Sequence, residues 1–226
     1  QNAFDSIKNN LEEFDVSLLH GVTASGKTEI YIKLLEEYVQ AEKQVLFLLP
    51  EIALTTQLVQ RLTAYFGNEV AVFHSKYTNN ERIEVWNQVL ENSPKAKVVI
   101  GVRSALFLPF SNLGCIIVDE EHEQTYKQTD PAPRYHARDA AIVLAKQHKA
   151  KVLLGSATPS LETYYNVQSK KYGLTELTIR YGNVVLPEIE LIDIKDKYFR
   201  KKMTGHFSDV LLEGISETIA NGEQVI

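Results

Sequence analysis

Short apolar runs recur along the chain, with amphipathic stretches between them. Residues 16–19, 45–49, 70–73, 98–100, 115–118 and 151–154 are β-branched or leucine-rich and lack polar alternation. That is the pattern of strands buried on both faces. Residues 27–41, 52–66, 80–90 and 136–149 carry apolar side chains three and four positions apart, which predicts helices with one face in a core. Strand and helix in repeated alternation imply right-handed crossovers and a mostly parallel sheet covered on both sides. The expected fold is therefore a three-layer, doubly wound α/β lobe over residues 1–172. After Thr158 and Pro159 the pattern changes. A helix over 160–169 is followed by β-like segments at 174–181 and 189–194, separated by Gly182 and Pro187. A basic run (Lys195, Lys197, Arg200, Lys201, Lys202) and a helix over 208–220 complete what reads as a small mixed extension, 173–226. Val225 and Ile226, after the turn-like Asn221–Gly222 pair, look like the first half of another strand, so the chain reads as part of a longer protein.

Composition narrows the class. With 44% apolar, 9% aromatic and 23% charged residues among 226, the chain has ordinary globular usage, unlike disordered or fibrous sequences. Cys115 is the sole cysteine, which excludes a disulfide framework and a cysteine-based zinc site; it reads as a small core hydrophobe. His74 and Trp86 read as packing or capping residues. Apolar stretches are too short to cross a bilayer, and a soluble cytoplasmic protein is expected. The formal charge of −5 means that any nucleic-acid contact must use a local basic surface.

Residues 21–28 (GVTASGKT) fit G-x-x-x-x-G-K-[ST] between a predicted strand and a predicted helix. Glycines let backbone N–H groups turn around phosphates, and the helix N-terminus adds partial positive charge. Gly21, Thr23, Ser25, Gly26, Lys27 and Thr28 are the expected nucleotide contacts. Lys27 would reach the β- and γ-phosphates, and Thr28 would ligate Mg²⁺. An acidic partner is available at the end of the 115–118 run, where Asp119, Glu120, Glu121 and His122 follow one another. Asp119 is the expected Mg²⁺ ligand and Glu120 the group that orients or deprotonates the attacking water. The same acids also suit an ordinary helix start. Neither an Asn-Lys-x-Asp guanine signature nor a Leu-Ser-Gly-Gly transporter signature is present.

Together with Ser156, Ala157 and Thr158, these motifs resemble the first motor lobe of superfamily 2 helicases. Several further segments are similar to the primosomal protein N′ family of bacterial replication-restart helicases: 21–31 (GVTASGKTEIY), 50–57 (PEIALTTQ), 101–110 (GVRSALFLPF), 118–122 (VDEEH), 126–128 (YKQ), 134–139 (RYHARD) and 155–162 (GSATPSLE). The resemblance implies a RecA-like lobe of an ATP- and Mg²⁺-dependent 3′ to 5′ DNA helicase. Single-stranded and forked DNA would be its substrates, and primosome and single-strand-binding proteins its partners. It also implies a second lobe, with its arginine finger and a cysteine-rich zinc module, outside this chain. An adenine-reading glutamine is expected just before Asn2, where Gln1 is a candidate.

Rings interleaved with cations can stack on bases and follow phosphates, which makes Tyr126, Lys127, Arg134, Tyr135 and Arg138 candidate single-strand contacts. The alternative is a loop packed on the core, with Arg138 and Asp139 as a helix-start pair. Thr55, Arg103 and Ser104 follow strands on the same predicted edge and would grip sugar-phosphate, or else serve as helix caps. By resemblance His122, Ser156 and Thr158 would couple the ATP box to the DNA track, His122 as a hydrogen-bonded relay; Ser156 and Thr158 equally suit capping. The motifs leave two other readings open, a double-strand DNA translocase and a module that binds nucleotide and DNA without turnover.

Overall fold

A computed structural model describes residues 2–51, 56–74, 77–180 and 189–225. It divides into two compact units, Gln1–Val184 and Val185–Ile226.

The first unit is built on seven parallel strands: β1 (Val16–Gly21), β2 (Gln44–Leu48), β3 (Val70–Phe73), β4 (Val98–Gly101), β5 (Leu113–Val118), β6 (Lys151–Ser156) and β7 (Gly173–Leu177). Their order across the sheet is β3-β4-β2-β5-β6-β1-β7. Helices α1 (Asn2–Glu13), α2 (Lys27–Gln40), α3 (Thr56–Phe66), α4 (Asn79–Leu90), α5 (Ala137–His148) and α6 (Leu161–Gln168) alternate with them.

Every residue of β2 and β4 is buried, as expected for strands covered on both faces. Because side chains alternate along a strand, each central strand feeds two separate cores. Leu46, Leu48, Ile116, Val118, Val152 and Leu154 join one core with Val85 and Val89 of α4 and Ala141 and Ala145 of α5. Val45, Phe47, Ile117 and Leu153 join the other with Ile7 and Leu11 of α1, Tyr31, Leu34 and Leu35 of α2, and Leu62 and Phe66 of α3. The three-layer architecture follows from that division.

Two differences from the sequence reading concern the ends. The first 13 residues include a helix, α1, whose Ile7 and Leu11 are buried and whose Phe4 packs beside them. Strand β7 belongs to the main sheet and not to an extension starting at 173, because it pairs in parallel with β1 from Ser17↔Gly173 to Gly21↔Leu177. Asn10 of α1 secures it by donating to Leu174 O (2.9 Å) and Thr175 Oγ1 (3.0 Å).

In the second unit, residues 189–193 have no regular structure, contrary to the β-like expectation. Asp193 caps helix α7 (Ile194–Phe199), which holds Lys195 and Lys197 of the basic run. A hairpin of β8 (Met203–Thr204) and β9 (Phe207–Ser208) leads to α8 (Asp209–Ala220), capped by Ser208. Lys197 and Lys202 reach Asp209 at 2.6 and 3.4 Å, so these two cations neutralise a helix-start carboxylate. Gly182 and Pro187 lie outside the described residues.

Candidate nucleotide-binding site

All seven strands run in one direction, so their C-terminal ends share one edge, where ligand sites form in open α/β sheets. Strands β5, β6 and β1 are consecutive there, which brings 119–122, 156–158 and 21–28 side by side.

The loop after β1 folds tightly. Ala24 (φ 60°) and Gly26 (φ 89°) adopt the left-handed region, and Ser25 N–H closes back on Val22 O at 3.1 Å. Helix α2 begins at Lys27, whose ammonium donates to Gly21 O at 2.8 Å. A Cβ on Gly21 would stand 2.7 Å from Ser25 Oγ and 3.0 Å from Lys27 Cγ, so the loop closes only around a glycine. Ser25 Oγ is buried without a hydrogen-bond partner. Thr23 is exposed, and Thr28 is half-buried in the first turn of α2.

Asp119 follows β5. Its N–H donates to Leu48 O at 3.1 Å, and its Oδ1 accepts from the Tyr31 hydroxyl at 2.8 Å. Burial raises the Asp119 pKa above the usual carboxylate value; the Tyr31 hydrogen bond opposes this, the Glu120 charge adds to it, and the Lys27 ammonium pulls it down. Lys27 and Asp119 are therefore within electrostatic reach across 92 positions of sequence, counting from 27 to 119. Glu120 sits in the left-handed region (φ 46°), and its carboxylate lies 3.8 Å from His122 Nδ1. His122 Nδ1 is 2.8 Å from Ser156 Oγ, its Nε2 is 3.3 Å from Thr158 Oγ1, and Thr158 N–H donates to Ser156 Oγ at 2.9 Å. The three candidate coupling residues thus form one hydrogen-bonded group.

These residues fit a magnesium nucleotide. The left-handed loop, the helix N-terminus, the Lys27 ammonium and the unpartnered Ser25 hydroxyl suit phosphate oxygens. Thr28 at the start of α2 and Asp119 at the end of β5 offer oxygen ligands, the kind Mg²⁺ takes together with phosphates.

Glu121 is fully buried. Its carboxylate accepts from Arg138 Nη1 (2.9 Å), Ser160 N–H (2.7 Å) and Thr163 Oγ1 (2.8 Å), tying the acidic box to the starts of α5 and α6.

The candidate DNA contacts separate into two groups. Arg103 and Ser104 occupy a 3-10 turn (Arg103–Phe107) after β4, on the same sheet edge. Arg103 Nη1 donates to the carbonyls of Thr125 (3.3 Å) and Lys127 (3.1 Å). Residues 127–136 form a loop closed by a Lys127–His136 bridge, with Lys127 Nζ on Arg134 O (2.8 Å) and Gln128 Nε2 on Pro131 O (2.7 Å) and Pro133 O (3.1 Å). Arg134 is exposed, and the half-buried Tyr135 ring meets the exposed Phe107 edge-on at 5.1 Å. Thr55 and Gln1 lie outside the described residues.

Two candidates are overturned as direct contacts. Tyr126 is 1% exposed, and its hydroxyl donates to Asp119 O (2.7 Å) and Leu48 O (3.1 Å), so its ring has no face for a base. Arg138 is 8% exposed and is held by Glu121 and Asp139, the helix-start pairing that was the alternative reading. Trp86, expected to pack, is half exposed in a groove it lines with Ile83, Ser104 and Phe107. The roles of Tyr31, Glu121 and Phe107 escaped the sequence reading. Tyr31 had one signal, its position four residues after Lys27 on the same helix face.

Comparison with known proteins agrees with this geometry. The chain is 45% identical over 226 residues to the replication restart protein PriA of Bacillus subtilis, covering 99% of this chain and 28% of that protein. It is 48% identical over 213 residues to the Haemophilus influenzae protein of the same name, covering 94% and 28%. The chain therefore spans less than a third of the length of these relatives. In fold it is similar to RecG bound to a three-way DNA junction (TM-score 0.55, 20% identity, 78% of this chain and 24% of that one). It is also similar to the Pyrococcus furiosus Hef helicase domain (TM-score 0.50, 17% identity, 76% and 37%). The profile of DEAD/DEAH box helicases matches residues 1–167, a span that holds the phosphate loop, the acidic box and the Ser156–Thr158 group. With those motifs joined on one sheet edge, the chain belongs to the DEAD/DEAH box helicase family.

Proposed function

We propose that this chain is the ATP-binding motor lobe of a longer DNA-dependent ATPase, a 3′ to 5′ helicase acting on single-stranded and forked DNA in replication restart. The observation that carries this reading is the Tyr31–Asp119 hydrogen bond, which ties the helix that opens at Lys27 to the acid at the shared strand edge. The name of the relatives supports replication restart as the process, and the resemblance supports primosome and single-strand-binding partners. Among the described residues no helix is long and apolar enough to cross a membrane; the resemblance to bacterial replication-restart helicases further supports a cytoplasmic location.

In this mechanism the amides of residues 26–28, at the start of α2, and the Lys27 ammonium bind the triphosphate of ATP. Thr28 and Asp119 would hold Mg²⁺, which would supply charge neutralisation for the bound phosphates. Glu120 orients the attacking water and takes its proton. His122, Ser156 and Thr158 pass the state of the nucleotide towards the DNA edge, where Arg103, Ser104, Lys127, Arg134 and Tyr135 follow the strand. Glu121 and Arg138 hold the box and α5 in register. An arginine from outside this chain would complete transition-state stabilisation, and the isolated lobe is expected to turn over ATP very slowly. In the full-length protein, Lys27→Ala is expected to reduce DNA-stimulated ATP hydrolysis by at least about a hundredfold while leaving fork binding intact. Retained turnover in that variant would remove the assignment.

A further inference from the structure

Tyr31 lies on α2, one turn beyond Lys27, and is fully buried. Its ring packs edge-on against Phe47 at 5.5 Å, which fixes where the hydroxyl points. A buried hydroxyl needs a partner, and this one donates to Asp119 Oδ1 at 2.8 Å. The third strand at the site is shaped around that bond. A Cβ on Gly155 of β6 would stand 1.7 Å from the Tyr31 oxygen and 3.2 Å from Asp119 Oδ1, so only a glycine leaves the phenol a lane to the carboxylate. An ionised carboxylate offers about four acceptor sites, so this bond orients it and leaves lone pairs for a metal.

We propose that Tyr31 is a positioning residue that holds the Asp119 carboxylate in the orientation that receives Mg²⁺, linking the helix that grips the triphosphate to the acid that grips the metal. The inference rests on the reading of Asp119 as the metal-holding acid. Partners of ligating groups commonly change metal affinity by about 10–100-fold when removed. Loss of the phenol hydroxyl should therefore weaken the metal-dependent part of nucleotide binding and spare the part made by the loop and Lys27.

The test is binding of a fluorescent ATP analogue to the full-length protein, titrated with Mg²⁺. Tyr31→Phe is expected to raise the Mg²⁺ concentration for half-maximal enhancement on the order of tenfold, with affinity in EDTA changed less than about twofold. Gly155→Ala, which pushes the phenol away from the other side, should give the same shift and supplies the measurement if Tyr31→Phe is poorly folded. Tyr38→Phe, a phenol on the same helix away from the site, should leave the midpoint unchanged. An unchanged Mg²⁺ midpoint in folded Tyr31→Phe overturns the inference and leaves the site reading standing. Equal losses with and without Mg²⁺ assign Tyr31 to packing alone and also overturn it. Mg²⁺-independent binding in the wild type that is also indifferent to Asp119→Ala overturns the site reading and the inference together.

Discussion

At Arg138 the guanidinium is covered by protein and shared between Glu121 and Asp139, whereas Arg134, four positions earlier, stands in solvent. Charge and proximity in sequence made the two look alike, yet their environments give them opposite work. Removing one partner of a buried ion pair strands the other charge, so Arg138→Ala should cost about 3 kcal/mol or more in denaturant unfolding. Arg134→Ala should stay within about 0.5 kcal/mol of wild type in the same experiment. In the full-length protein it should instead weaken single-strand binding and reduce the salt slope by about 0.7 if Arg134 makes one phosphate contact. A large stability loss in Arg134→Ala, or a normal fold in Arg138→Ala, would reverse these roles.

His136 immediately precedes α5 and also closes the 127–136 loop through its bridge to Lys127. Its Nδ1 is buried without a partner. Burial, followed by the Arg138 charge, lowers its pKa from the ordinary 6.5. The unfolded chain therefore takes up this proton at higher pH than the fold does. The associated stability is complete above about pH 6.5 and is lost as pH falls through the folded value. Urea midpoints at about pH 7.5 and about pH 5.5 should differ more in wild type than in His136→Gln, and equal differences would exclude this residue as the source. Helix α4 offers a simpler case. Thr78 and Glu81 form a complete capping box at its start, and Thr78→Ala should cost about 1 kcal/mol in the same assay.

For the molecule as a whole, the strand order matters more than any single contact. Strands β1, β6 and β5 carry the nucleotide motifs, and β2 and β4, next along the same edge, lead into the segments read as backbone contacts for DNA. Strand β7 completes the sheet beyond β1, which sets where the lobe can be cut. A chain ending at 184 keeps the β1–β7 ladder, while one ending at 172 removes it and bares the edge of β1. The shorter piece should unfold on the order of 5 °C or more below the longer one and aggregate more readily, as scanning calorimetry and light scattering would register. Equal behaviour would mean that β7 contributes little to the lobe.

Much of the fold was legible because the information is local. Six strands announced themselves as short, largely apolar runs, the main helices by spacings of three and four, and the phosphate loop by glycines beside a lysine. What escaped depended on neighbours distant in the chain. Nothing around Tyr126 shows that its ring is sealed beneath the acidic box, and nothing near Tyr31 points to Asp119, 88 positions away. Strand order belongs to the same class, since each crossover can return on either side of the strand it leaves. Sequence alone thus determined the strands, the main helices and the candidate groups for the chemistry. Only tertiary packing decided which of them meet water and which are enclosed, because burial is set by what another segment lays on top.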